Sequence, residues 1–564
     1  MAPRRLVVVG GSAAGPKAAA KARRLDPHAE ISIVEKGPDL SMASCGYPYY
    51  VGGFFDDRRQ LLCTPTGVVR DPSFFMKAKG ITALTRTEAL AIDREGRTVT
   101  CKNLDTGEQT SLPYDKLVLA TGTRPVVPPV PGSDLEGITT LQTLRDADFL
   151  RQVRDEGKVK RAVVVGGGLI GAETAEALHL AGLEVAIVEM LPQILTFLDP
   201  QLAKLVENHI NQQGSRVVTA NAVAEFLGEE GKLTGVKLQD GTVLETELAV
   251  VAVGVRPNAR LAEEAGLELG SLGGITVDEH MQTSDPDIYA AGDCVETASR
   301  LTGKTRLTPF GDIANLQGRV AGQNAVAGNQ ATFPGIVHTG ICKVFDYAVG
   351  STGMGEEEAR EAGFEPVSAI ISALDRPHFM GAGLLVMKIV ADRPSGRLLG
   401  FQCVGPGDAS KRVAIAATAL QGELTVADLA NADLPYAPPY SPAIDPLIVA
   451  AHVVENKMLG RMEGVSPAEL KARLDAGDAP FLLDARSTQE FEQMRLGVGE
   501  TLIPLGALRQ NLDKLPGDKD AEIIAYCKIS LRGYEAACFL RGQGYTDVKV
   551  LEGGIMAWPY AREK

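Results

Sequence analysis

Two strand, glycine-turn, helix, strand units, each closed by a glutamate, constrain this chain more than any other feature. In the later unit Ala162-Val163-Val164-Val165 runs into Gly166-Gly167-Gly168-Leu169-Ile170-Gly171, a helix through His179, and Val185-Ala186-Ile187-Val188-Glu189. Gly166, Gly168 and Gly171 allow a tight turn, let a pyrophosphate sit against helix N-terminal amides and bring the helix close to the strand, while Glu189 can accept hydrogen bonds from ribose hydroxyls. Met190 and Leu191 follow with no arginine nearby, so a 2′-phosphate is disfavoured and NADH is preferred to NADPH. The earlier unit is less regular. Leu6 to Val9 leads into Gly10-Gly11-Ser12-Ala13-Ala14-Gly15, an alanine-rich helix and Ile31 to Glu35 and Lys36, with Ser12 at the middle glycine position and Pro16 in the first helical turn. Taken alone it also fits a plain strand-to-helix turn. Two units imply two dinucleotides, read as one bound flavin, FAD, and one exchanging nicotinamide.

Just beyond the first unit, Ser41-Met42-Ala43-Ser44-Cys45-Gly46-Tyr47-Pro48-Tyr49-Tyr50 sets a single cysteine beside Gly and Pro, which fix a turn and admit close approach of another group. If Gly10, Ser12, Ala13, Ala14, Gly15, Glu35 and Lys36 hold FAD, this turn lies at the flavin. Cys45 then reads as a redox thiol, with Ser41 and Ser44 beside substrate and cofactor. Lys17, Lys21 and Arg24 recur at i, i+4, i+7 and share one helix face, either solvated or binding the anion of a phosphate-bearing thiol. Tyr114 to Pro125 reads as a buried strand ending at Thr121-Gly122, where the backbone must pass close to a cofactor, and the proline-rich run Val126 to Gly132 as a linker.

At 564 residues the chain should divide into roughly three or four domains. Its net charge of −14 argues against nucleic acid or an anionic membrane surface as the main partner. The eight cysteines include no Cys-x-x-Cys pair, which favours reduced cytosolic thiols over a disulfide framework or a metal site. The apolar run Leu6 to Val9 is too short for a signal-peptide core, and none later approaches membrane-spanning length, so a cytoplasmic protein is expected. Cys63, Cys101, Cys294, Cys342 and Cys403 read as buried, inert thiols.

After Met462-Glu463-Gly464-Val465-Ser466-Pro467 a small α/β pattern restarts: a capped helix, the strand Phe481-Leu482-Leu483-Asp484 with Ala485-Arg486, and the strand Glu522 to Tyr526 leading into Cys527-Lys528-Ile529-Ser530-Leu531-Arg532-Gly533. With Leu551-Glu552-Gly553-Gly554-Ile555-Met556-Ala557-Trp558, it resembles a rhodanese domain. Cys527, at the head of a helix with Lys528 and Arg532 nearby, is placed to hold a thiolate or persulfide. The other reading is a degenerate domain used for docking. Cys538, among Ala and Phe in the next helix, reads as core.

At Asp287-Ile288-Tyr289-Ala290-Ala291-Gly292-Asp293-Cys294, after Val253-Gly254-Val255-Arg256-Pro257-Asn258, the chain resembles the FAD-dependent pyridine nucleotide-disulfide oxidoreductases. The resemblance implies that Asp293 bonds the ribityl and phosphate region of the flavin, that Gly254 borders a cofactor, and that the nicotinamide domain is inserted into the flavin domain. The expected fold is α/β: two Rossmann-like dinucleotide-binding domains (1–120 with 265–330 for FAD, 121–264 for NAD(H)), an α+β dimerisation domain over 333–455 and a rhodanese domain over 465–564. A glutathione-reductase-like member needs two cysteines separated by four residues, and the positions at that spacing from Cys45 are Leu40 and Tyr50, so an intramolecular dithiol there is excluded.

The single-cysteine stretch instead resembles coenzyme A disulfide reductases, supported by Ala314-Asn315-Leu316-Gln317-Gly318-Arg319, Lys411-Arg412 and Leu434-Pro435-Tyr436-Ala437-Pro438. This implies a homodimer in which Tyr436 of one subunit reaches the other subunit's flavin and Cys45. Ser44, His378-Phe379-Met380-Gly381 and Ile444 replace an Asn, a Tyr-Tyr-Pro-Gly segment and a Lys of that branch, which loosens the tie to coenzyme A; His378 is a candidate proton donor in place of a tyrosine. The expected activity is NADH-dependent reduction of a persulfide, polysulfide or coenzyme A-type disulfide at Cys45, with sulfane sulfur carried by Cys527. Strict coenzyme A disulfide reduction, NADH oxidase or peroxidase chemistry through a Cys45 sulfenic acid, and a non-catalytic sulfur sensor remain alternatives.

Overall fold

A computed structural model describes residues 3–564, which form two compact units: residues through Met190 with Asn221–Ile336, and Leu191–Ala220 with Val337–Lys564. In the first unit the strands Ile288–Ala290, Lys116–Leu119, Arg5–Val9, Glu30–Val34 and Thr82–Leu84 lie side by side in that order, all parallel. The apolar run Leu6 to Val9 is continuous because both faces are covered. Leu6 and Val8 pack with Ile31, Ile33 and Val118 on one face, and Val7 and Val9 with Leu117 and Leu119 on the other. A second parallel set pairs Arg161–Val165 with Glu184–Val188 on one side and Leu248–Val251 on the other, with Ile138–Thr139 beyond.

The helices Ala14–Leu25 and Gly311–Ala327 cross almost backbone to backbone. A Cβ on Gly318 would lie 2.4 Å from the Ala14 carbonyl oxygen, and one on Gly322 would lie 2.2 Å from that of Ala18. This contact sets where the second helix begins: a Cβ on Gly311, its first residue, would lie 3.8 Å from Cys45 Sγ.

In the second unit an antiparallel sheet runs Gly340–Val344, Tyr347–Gly353, Leu398–Gly405, Leu384–Asp392, Pro366–Leu374, the last an edge strand. Fully buried Arg412 ties the helix Ala409–Gln421 to Asp445 at 2.9 Å, and Asp445 caps the helix Pro446–Met458 by accepting from the Leu447 N–H. Beyond it lies a parallel sheet ordered Gly464–Val465, Val548–Leu551, Ile523–Tyr526, Phe481–Asp484, Thr501–Leu502. Its first helix, Pro467–Asp475, opens on a Ser466/Glu469 capping box.

The structure corrects one cysteine reading and modifies another. Cys538 is exposed, because on the helix Leu531–Gly542 the buried stripe is Gly533, Ala536, Ala537 and Leu540 and position 538 turns away from it. Cys63 is half-buried rather than core, while Cys101, Cys294, Cys342 and Cys403 are buried. No helix among the described residues is long and apolar enough to cross a membrane.

A side chain at Gly322 meets a backbone oxygen that no rotamer change can move. Gly322→Val should therefore destabilise the protein by about 1–3 kcal/mol or more in urea titrations; unchanged stability would contradict the close crossing.

Candidate functional site

The two glycine turns repeat each other closely. At the first, Gly10 has φ +115° and a Cβ there would lie 2.0 Å from the Ala120 oxygen, while one on Gly15 would lie 1.9 Å from the Gly10 oxygen. At the second, Gly166 has φ +109° with a Cβ 2.4 Å from the Ala252 oxygen, and one on Gly171 would again lie 1.9 Å from the Gly166 oxygen. Only glycine fits these four positions. Gly168 has nothing within 4 Å of its Cβ direction, which leaves that side of the turn open. The closing acids brace the turns: Glu35 accepts from the N–H groups of Gly11 and Gly37 at 2.6 Å each, and Glu189 from that of Gly167 at 2.7 Å. Ser12 is exposed on the first turn, with Ala13 half-buried and Ala14 buried. Lys36 is drawn off to Glu88 at 2.9 Å.

Thr121 donates to the Asn258 carbonyl at 2.7 Å, and the Asn258 N–H to that of Gly122 at 2.9 Å, joining the two strand ends. Gly122 and Gly254, at φ +65° and +114°, both face open space. Burial pushes the Asp293 carboxyl up to about 6, and none of the described residues donates to it. The Thr308 hydroxyl is buried without a partner. A glycine cradle, a desolvated acceptor and a hydroxyl left without a partner fit a bound flavin dinucleotide, with its hydroxyls and phosphates.

Cys45 sits in a short 3-10 turn, Ser44–Gly46, that runs into the helix Tyr47–Gly52. The turn hangs from the first glycine turn, since the Ser41 N–H donates to the Gly11 carbonyl at 2.7 Å. Ser41 has φ +50°, a left-handed conformation uncommon outside glycine. Arg70 fastens it, donating to Ser41 Oγ at 3.1 Å and to the carbonyls of Leu62 and Cys63. The helix after Cys45 reaches the helix that leaves the second turn: Tyr49 donates to Glu173 at 3.1 Å, and Glu173 lies on Leu169–Leu180. Cys45 is exposed, yet its surroundings desolvate the thiol and push it up, with Glu173, Asp293 and Asp312 adding like charge. Glu173 and Arg70 carry no motif; their roles are visible only once separate segments meet.

Lys17, Lys21 and Arg24 form no ion pair among the described residues, whereas Arg23 between them is anchored to the carbonyls of Lys79 and Gly80 at 3.1 and 2.7 Å. Asn315 lies on the helix that begins beside Cys45 and donates to the Gly311 carbonyl at 2.7 Å. His378 and Tyr436 belong to the second unit, His378 in a 3-10 turn, and both are exposed.

Cys527 is 1% exposed at the end of the strand Ile523–Tyr526. Its loop turns through Ser530 at φ +80°, and the helix starts only at Leu531, so the cysteine precedes the helix by a short loop. Arg532 makes two hydrogen bonds of 2.7 Å to Glu490, which pull Glu490 down to about 2 and raise Arg532, while Cys527 also faces the guanidinium.

The family described as pyridine nucleotide-disulphide oxidoreductase matches residues 4–312, its dimerisation domain residues 339–448, and the rhodanese-like domain residues 466–560. The chain belongs to the pyridine nucleotide-disulphide oxidoreductase family. Among its relatives in that family, an NAD(P)H coenzyme A polysulfide/persulfide reductase of Pyrococcus horikoshii is 34% identical over 459 residues, covering 80% of this chain and 98% of the relative. An NADH oxidase of Methanocaldococcus jannaschii is 33% identical over 458 residues, covering 80% and 99%. Two solved structures match nearly end to end. The NAD-dependent persulfide reductase of A. fulgidus has a TM-score of 0.93 and 43% identity, covering 98% of this chain and all of the other. The CoADR-RHD of Bacillus anthracis has a TM-score of 0.91 and 34% identity, covering 99% and 98%.

Because Glu173 raises the Cys45 thiol, Glu173→Gln should lower the pH midpoint for alkylation of Cys45 by iodoacetamide in flavin-stripped protein. An unchanged or higher midpoint would contradict this placement.

Proposed function

We propose that this oxidoreductase uses NADH to reduce low-molecular-weight persulfides, polysulfides and coenzyme A-type disulfides at Cys45, and that Cys527 carries sulfane sulfur on the same chain. The observation that carries the reading is one thiol joined to both dinucleotide turns, by Ser41 to Gly11 and by Tyr49 to Glu173, with Leu40 and Tyr50 where a second redox cysteine would stand. FAD, when bound, would supply two-electron transfer between NADH and a sulfur acceptor. The chain's own residues do the rest. Gly10, Gly15, Glu35, Thr121, Gly122 and Asp293 hold the flavin; Gly166, Gly168, Gly171, Gly254 and Glu189 hold the nicotinamide nucleotide; Cys45 attacks the S–S bond.

With a persulfide RSSH, attack on the inner sulfur forms a Cys45–SR disulfide and expels hydrosulfide; two electrons and a proton then release RSH and free Cys45. In sum, one persulfide, one NADH and one proton give one thiol, one hydrogen sulfide and one NAD⁺. NADH is preferred because Glu189, Met190 and Leu191 offer no cation to a 2′-phosphate. The cationic face of Lys17, Lys21 and Arg24, free of ion pairs among the described residues, suits the phosphates of a coenzyme A-bearing substrate, with Ser41, Ser44 and Asn315 near its thiol end. Tyr436 and His378, exposed on the unit matched by the dimerisation family, suit contact with a second subunit's site in a cytoplasmic homodimer. The Methanocaldococcus relative's name supports a second reading, in which oxygen or peroxide takes the electrons through a Cys45 sulfenic acid.

An acceptor panel with NADH separates these readings. Persulfide and polysulfide should be reduced at rates equal to or above those for coenzyme A disulfide, oxygen and peroxide. Cys45→Ser should abolish all sulfur reduction, and Cys527→Ser should spare small soluble disulfides. Fast oxygen or peroxide consumption with inert sulfur acceptors would overturn the proposal.

A further inference from the structure

The loop that bears Cys527 is held from outside the rhodanese-like sheet. The carbonyls of Cys527 and Lys528 accept from the N–H groups of Ile555 and Met556, at 3.0 and 3.2 Å. In a trans peptide the C=O and the following N–H point opposite ways, so pinning these two carbonyls aims the N–H groups of Lys528 and Ile529 to the other side of the loop. The N–H groups of residues 528 to 530 donate to none of the described residues. Ile555 and Met556 belong to the 3-10 turn Gly554–Ala557, whose approach leaves no room for side chains: a Cβ on Gly554 would lie 2.5 Å from the Cys527 oxygen.

The residues just before that turn dock on the edge strand Pro366–Leu374. Glu552, 2% exposed, accepts from the Ile370 N–H at 2.9 Å and from the Lys457 ammonium. Lys457, on the helix Pro446–Met458, also donates to the Ser368 carbonyl at 2.6 Å, and Ser372 donates to the Gly553 carbonyl at 2.7 Å. Ser368 and Ile370, two residues apart, turn a carbonyl and an N–H to the free edge of the sheet, and the Lys457–Glu552 pair satisfies both. A Cβ on Gly553 would lie 3.1 Å from Ile370 Cγ2, so the turn is seated against the strand.

We infer that Lys457 and Ser372, which lie outside the rhodanese-like domain, are positioning residues for sulfur transfer at Cys527. They fix Glu552 and Gly553, which fix the turn whose amides orient the Cys527 loop. The inference rests on the reading of Cys527 as a sulfane-sulfur carrier. With thiosulfate as donor, the Cys527 thiolate attacks the outer sulfur, the S–S bond breaks, sulfite leaves, and cyanide then takes the sulfur as thiocyanate.

The test uses the full-length holoenzyme and follows persulfide formation on Cys527 from thiosulfate by intact mass, beside NADH-dependent disulfide reduction at Cys45. Lys457→Met should slow loading about tenfold or more, as displacement of a reacting group does, while reduction at Cys45 stays within about twofold. Lys457→Arg, which keeps two donors, should restore loading. Since Lys457→Met leaves Glu552 buried without its cation and folding can fail, Ser372→Ala gives a second measure, expected to slow loading about fivefold, the worth of one hydrogen bond. Wild-type loading rates in folded Lys457→Met or Ser372→Ala, or an equal fall in both activities, overturn the inference. If wild type and Cys527→Ser load alike, the carrier reading of Cys527 itself fails.

Discussion

Everything in the first unit depends on how closely a helix can start against the end of a strand. At Gly15 and again at Gly171 the helix begins where a Cβ would lie 1.9 Å from the carbonyl of the glycine that ends the strand. That approach leaves amides and open space where a pyrophosphate binds, and places Glu35 and Glu189 to brace each turn. Cys45 is reached from both: Ser41 hangs from Gly11, and Tyr49 meets Glu173 on the second helix. The turn that carries the Cys45 thiol is thus tied to both glycine-turn units. The Gly318 and Gly322 crossing brings the start of the 311–327 helix to the sulfur.

Cys45 and Cys527 have differently charged neighbours. Cys45 is ringed by Glu173, Asp293 and Asp312 and has a raised pKa, so its anion forms only at a cost when no other group is bound beside it. Cys527 faces Arg532, itself locked to Glu490, and a loop with unspent N–H groups. An acid-lined thiol favours reaction when a bound partner compensates its charge, whereas a cationic cradle suits holding an anionic persulfide. On the proposed function, reduction falls to the acid-lined thiol and sulfur carriage to the thiol that faces Arg532.

Much of this is legible in the sequence, because a glycine turn, a lone cysteine between Gly and Pro, and a Cys-x-x-x-x-Arg loop are local patterns whose geometry follows from a few residues. The α/β class and the two dinucleotide units follow from continuous apolar strands and their period. What stays hidden is what distant segments bring together. Glu173 looks like any helix glutamate, Arg70 like a loop cation and Lys457 like a solvated end of a helix, until Tyr49, Ser41 and Glu552 are placed against them. Cys538 departs from its core reading because apolar neighbours at 536 and 537 do not say which face position 538 takes, a turn of about 100° per residue deciding it.

On the proposed mechanism Cys45 alone bonds the sulfur that NADH then reduces. The direct measurement is peptide mass analysis of reduced holoenzyme mixed anaerobically with a low-molecular-weight persulfide, before and after NADH. A sulfur or thiol adduct should form on Cys45 and be removed by NADH with release of sulfide or thiol; an adduct confined to other cysteines, or one on Cys45 that NADH leaves in place, would overturn this mechanism.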